Sequence, residues 1–120
     1  MKKLIVTLAC TLFVMSLFAD NTRCVVPNSG GAVVELEDIS ATPNEKGELA
    51  IFTRVVQNAQ VGSADVYVNV NIYDALTNTV VDVVTVKTPL NGKMPGKVYR
   101  KGFKPGHAYY YRIHSASCDR

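Results

Sequence analysis

The chain has 120 residues, 48% of them hydrophobic and 19% charged, with a formal net charge of +3. That length holds one ordinary domain with a single modest core and calls for no second one. The small net charge excludes a general polyanion binder, so nucleic acid is not an expected partner.

Met1-Lys2-Lys3 is a basic head, Leu4 to Phe18 is an apolar run without a charged residue, and polarity returns at Ala19-Asp20. This is the pattern of a secretory signal peptide over residues 1–19, with the small Ala19 before the cleavage point. The run is shorter than the roughly 20 residues a bilayer-spanning helix needs, so no membrane span is expected after cleavage. Cys10 lies inside the run and Cys24 follows Asn21-Thr22-Arg23, positions that do not suit a lipid-bearing cysteine. The expected product is one domain over residues 20–120, secreted to the extracellular space or a periplasm.

Cleavage removes Lys2 and Lys3, leaving 11 of the 13 Lys and Arg against 10 Asp and Glu. It also removes Cys10 and leaves the pair Cys24 and Cys118. In an exported chain an even pair reads as a disulfide, here one that staples the two ends of the domain, with two free thiols as the alternative. Closing so long a loop stabilises by up to roughly 4.7 kcal/mol on the chain-entropy account.

From Ala32 onward, apolar and polar residues alternate with a period of two. Ala32 to Ile39 carries Val34 and Leu36 on one face and Glu35 and Glu37 on the other. Thr42-Pro43-Asn44-Glu45-Lys46-Gly47 is a turn, Glu48 to Gln57 a strand, and Gln60-Val61-Gly62-Ser63 a break. In Asp65 to Tyr73, Val66, Val68, Val70 and Ile72 alternate with Tyr67, Asn69, Asn71 and Tyr73. Thr79 to Lys87 is apolar on both faces, as in a strand covered on each side or lying at an interface. The longest loop, Pro89 to Gly96, leads into a strand over Lys97 to Phe103. No sustained helical period occurs, and short strands between such turns predict an all-β antiparallel sandwich or barrel.

Phe103-Lys104-Pro105-Gly106-His107-Ala108-Tyr109-Tyr110-Tyr111-Arg112-Ile113 resembles the corner between strands E and F of fibronectin type III and other immunoglobulin-like domains. It has an apolar residue, a Pro-Gly bend, a tyrosine three residues after the glycine, and then apolar residues at alternate positions. The resemblance implies an antiparallel Ig-like sandwich of six or seven strands with Pro105, Gly106 and Tyr109 as the structural corner. The Tyr109 ring would enter the core with its hydroxyl bonded back to the corner backbone. Tyr111 and Ile113, of the same parity, would follow it inward. The sequence has no tryptophan, and only Ser115 to Arg120 follow the F-like strand. The place of a final G strand is therefore expected to be filled by Cys24-Val25-Val26, or else to stay open as a pairing edge.

Little in the chain reads as catalytic. His107 and His114 are seven apart on the expected strand and so face opposite ways, unable to share a metal ion. Glu35, Glu37 and Asp38 could gather calcium, but alternating acids on a strand read first as a solvated face. No Cys-x-x-Cys, phosphate-cradling glycine loop or nucleophile elbow occurs. Neither an enzyme nor a cofactor is expected. The F-strand resemblance makes the C-like and F-like strands neighbours, and Tyr67, Asn69, Asn71, Tyr73, Tyr110, Arg112 and His114 then share one outer face. Tyr, Asn and Arg favour recognition of a protein or glycan, although cross-strand aromatic pairs also stabilise sheets that bind nothing. Lys93, Lys97, Arg100, Lys101 and Lys104 form a second candidate, a basic loop, against the reading that they only keep the domain soluble. The expected function is that of a recognition or adhesion module. Its alternatives are a self-assembling subunit using Thr79 to Lys87, through an edge strand, and a secreted inhibitor or small-ligand carrier using the loops near Asn91-Gly92.

Overall fold

The computed structural model describes residues 22–27, 29–57, 65–90 and 94–118; the signal-peptide reading of residues 1–19 lies outside them. The described residues form strands and no helix: β1 (Arg23–Val25), β2 (Val33–Leu36), β3 (Ser40–Ala41), β4 (Leu49–Gln57), β5 (Asp65–Asp74), β6 (Thr79–Pro89), β7 (Gly96–Arg100) and β8 (Tyr109–Ser117). Two antiparallel four-stranded sheets, ordered β1-β2-β4-β7 and β3-β8-β5-β6, enclose one core.

The alternation in the sequence decides which side chains fill that core. Val66, Val68, Val70 and Ile72 of β5 are all fully buried. Facing them are Val34 and Leu36 of β2 and Leu49, Ile51 and Val55 of β4, flanked by Val84 and Val86 of β6 and Tyr109, Tyr111 and Ile113 of β8. Each such side chain stabilises the fold by about 1.5–3 kcal/mol relative to exposure. Two buried threonines also meet between the sheets, where the Thr53 and Thr88 hydroxyls share a hydrogen bond of 2.6 Å. A bulge between Asn69 and Val70 leaves His114 as an extra residue in β8. Ile113 and Ala116 are therefore both buried although three residues apart.

The expected strand over Ala32 to Ile39 is divided between the sheets. Glu37 N–H still donates to the Phe52 carbonyl of the first sheet, whereas the Ile39 carbonyl accepts from Tyr111 N–H of the second. The chain crosses the sandwich between those residues, and β3 begins after them. This crossing and the three-residue β1 account for eight strands where six or seven were expected.

The placement of Cys24-Val25-Val26 in the G position is corrected. Their strand, β1, pairs with β2 in the opposite sheet, with Cys24 opposite Val34, and an Arg23–Glu35 ion pair of 2.8 Å fixes the register on the outer face. The strand over Lys97 to Phe103 stops at Arg100. Its continuation is held by the turn before β4: Phe103 N–H donates to the Gly47 carbonyl at 3.2 Å. The valine-rich segment is an edge strand with one face buried. Val84 and Val86 point inward, while Val80, Val81 and Val83 are 46%, 47% and 51% exposed.

Candidate functional site

Strands β5 and β8 are neighbours, with Tyr73 opposite Tyr110 and Asn71 opposite Arg112. The Tyr73 and Tyr110 rings stack 4.8 Å apart and within 2° of parallel. The Arg112 guanidinium carbon lies 4.8 Å from the centre of the Tyr110 ring, a cation–π distance. Its guanidinium also donates to the Tyr111 carbonyl at 2.6 Å and the Ile39 carbonyl at 3.3 Å, so it closes the sheet where β3 leaves β8.

The rest of this face is a chain of hydrogen bonds between strands. Thr85 of β6 donates to Asn69 Oδ1 at 2.7 Å, and Asn69 Nδ2 donates to the Ser115 hydroxyl at 2.8 Å. Tyr110 donates its hydroxyl proton to Asn78 Oδ1 at 3.1 Å. Asn78 closes the β5–β6 turn with φ of 57°, the left-handed region that asparagine tolerates. Asn71 is buried, Tyr67, Asn69, Tyr73, Tyr110 and Arg112 are half-buried, and His114 is exposed at the bulge. Hydrogen bonds and ring contacts thus tie the strands of this face together, with aromatic area presented at low entropy cost. Sequence reasoning missed Asn78, Thr85 and Ser115. Thr85 could have been found from its parity in β6, but Asn78 sits in a turn and Ser115 lies past the bulge.

At the corner, Lys104 N–H donates to the Tyr109 hydroxyl at 3.1 Å, and the Phe103 and Tyr109 rings meet edge to face at 5.1 Å. His107 precedes β8 instead of lying on it. Its backbone N–H bonds to the Lys104 carbonyl, and its Nδ1 is buried without a partner among the described residues.

Arg100 is paired with Asp82 at 3.1 Å and Lys101 lies 3.9 Å from Glu48, while Lys97 and Lys104 stand exposed and Lys93 falls outside the described residues. Glu35 and Glu37 are held by Arg23 and Arg54. Among the described residues no three His, Cys, Asp or Glu side chains gather as a metal site. Asn91-Gly92 also falls outside the described residues; a surface recess of about 380 Å³ lies elsewhere, over Arg23, Cys24, Val25, Val33 and Val56.

The expected disulfide is also corrected, since Cys24 and Cys118 are both free thiols in this structure. The Cys24 thiol points along its own strand and donates to the Val25 carbonyl at 3.3 Å, and burial pushes its pKa up. Both side chains nevertheless pack against the core. Cys24 lies opposite Val34 and Val34 opposite Val55, and Cys118 follows Ser117 opposite Tyr67, which places the pair at the same end of the two sheets.

The two edges of the second sheet differ. On β6 the outer edge meets the side chains of Asp82 and Arg100 and the start of β7. On β8, β3 pairs with Tyr109 and Tyr110, and among the described residues no strand lies beside the remainder. Comparison with protein-family models, with curated proteins and with solved structures gave no match, so the two-sheet, all-β architecture is the level at which the chain is classified.

Proposed function

We propose that this chain is an exported, non-enzymatic recognition module of the fibronectin type III or immunoglobulin-like kind, binding a protein partner through the β3-β8-β5-β6 sheet. In that comparison β2, β4 and β7 correspond to strands A, B and E, and β8, β5 and β6 to F, C and C′. The observation that carries the reading is the outer edge of β8, flanked by a two-residue strand and, among the described residues, by no further strand. Tyr111 N–H points to that side, so alternation turns the backbone of Ile113 the same way, beside the Tyr110–Arg112 face. A protein segment can add as a strand there while its side chains read the aromatic face, which favours protein over glycan.

A second reading, a self-assembling subunit, is favoured by the exposed Val80, Val81 and Val83 on an edge strand. Light scattering and intact mass of the exported protein, with and without reductant, separate the two. Recognition predicts a monomer starting near Asp20; assembly predicts a concentration-dependent oligomer. Short displayed peptides selected on the monomer should slow amide exchange at Ile113, and Tyr110→Ala or Arg112→Ala should each weaken them about tenfold. Peptides indifferent to both substitutions, with protection elsewhere, would remove this site from consideration.

A further inference from the structure

The outer edge of β6 combines exposed valines with a backbone that is closed by side chains. Because Tyr111 N–H faces β3, Tyr110 and Arg112 turn their backbones toward Tyr73 and Asn71 of β5. The intervening residues of β5, Ile72, Val70 and Val68, then face Asp82, Val84 and Val86 of β6. Val83, Thr85 and Lys87 must therefore direct their N–H and C=O groups away from the sheet, toward a strand that could be added.

Two of these three positions are blocked. The Val83 N–H donates to Asp82 Oδ1 at 2.9 Å. Arg100, reaching across from β7, grips the same carboxylate through Nε at 3.1 Å and a terminal nitrogen at 3.3 Å, and that nitrogen lies 3.4 Å from the Val83 carbonyl. The last contact is long for a hydrogen bond, but it places a charged group where an incoming strand would donate. At Lys87 the start of β7 does the blocking: a Cβ built on Gly96 would lie 2.4 Å from the Lys87 carbonyl oxygen. Thr85 is left between two occupied positions, too short a stretch for strand addition.

We infer that Asp82 and Arg100 form a plug that stops β6 from pairing with β6 of a second copy of this chain. The occupant follows from the strand itself. With Lys87 covered by β7, the positions the plug controls are Val83 and its neighbour Thr85, so two antiparallel copies would set Val83 of each against Thr85 of the other and bring the exposed valines together. Charged residues on edge strands are a general defence against such pairing. Here the defence acts on one specific pair of backbone groups. It does not depend on recognition at β8, which lies at the opposite edge of the sheet.

The test is sedimentation velocity of the mature protein across a concentration series, with reductant present so that cysteines cannot cross-link copies. The Asp82→Ala/Arg100→Ala double variant should self-associate about a hundredfold more tightly than the parent, through the restored backbone bonds. Adding Val83→Lys should return it to monomer, since that residue is half-exposed and tolerates charge in the fold. Asp82→Asn keeps an oxygen for Val83 N–H but loses the ion pair, and should give an intermediate increase. It also serves as the deciding variant if circular dichroism shows the double variant unfolded. A folded variant as monomeric as the parent would overturn the plug, as would association that Val83→Lys leaves unchanged.

Discussion

Gly96→Ala is expected to destabilise the domain by about 3 kcal/mol or more, the upper part of the range for a forced core contact plus a lost buried hydrogen bond. An added Cβ would lie 2.4 Å from the Lys87 carbonyl oxygen and 2.9 Å from both Thr88 Cα and Thr88 Oγ1. Two of those three atoms are backbone, so no rotamer change relieves the clash. The β6 strand or the β7 strand has to move. Moving β6 parts Thr88 from Thr53, whose hydroxyls are fully buried and share one bond of 2.6 Å, and moving β7 disturbs its pairing with β4 at Thr53. Gly102→Ala is the control. Nothing lies within 4 Å of its added Cβ, so only its φ of +96° is penalised, at about 1 kcal/mol. Urea unfolding of the two variants and the parent measures both quantities. A Gly96→Ala midpoint no lower than that of Gly102→Ala would mean that β7 does not lie against Lys87 as described. The position also bears on the plug, because β7 carries Arg100 to Asp82.

The sheet interiors were legible in the sequence, and the edges were not. Val66, Val68, Val70 and Ile72 alternate with tyrosines and asparagines over a long strand, and burial follows such a pattern wherever a strand has one dry face. The Tyr109 corner was readable through its resemblance to the corner of fibronectin type III domains, with which the need of a buried hydroxyl for a partner agrees. Alternation does not say which sheet a short strand joins. Arg23–Val25 has one inward residue, Cys24, and would suit either sheet; the Arg23–Glu35 pair and the crossing at Glu37 to Ile39 decide for the first. Nor does alternation reveal a bulge. At His114 the parity of β8 slips by one, which buries Ala116 and brings Ser115 beside Asn69. The Asp82–Arg100 pair was hidden because it joins different sheets across eighteen residues, and Arg100 read as one cation in a basic run.

Tyr111 should prove the most costly core side chain to truncate and should leave a pH signature. Its ring is fully buried in β8, and its hydroxyl donates to the Ala50 carbonyl of the opposite sheet at 3.3 Å. Tyr111→Ala is expected to cost about 3–5 kcal/mol, as for other large aromatic residues. Tyr111→Phe keeps the ring and loses one long hydrogen bond, about 1 kcal/mol. Burial first, and the negative charge of Asp38 second, push the Tyr111 pKa from 10.0 up to about 12. A raised pKa in the folded state means that the unfolded chain gives up this proton first as pH rises. The stability contributed by neutral Tyr111 is therefore complete below pH 10 and is lost as pH climbs through about 12. Over that window the parent should lose on the order of 2 kcal/mol relative to Tyr111→Phe, which has nothing to ionise there. Other tyrosines and lysines titrate in the same range, so the quantity to measure is the difference between the two proteins in urea unfolding from pH 9 to pH 12. The phenylalanine variant should begin as the less stable of the two and end as the more stable. A difference that stays flat would mean that Tyr111 ionises as readily in the fold as in the open chain, and that its hydroxyl is not sealed between the sheets.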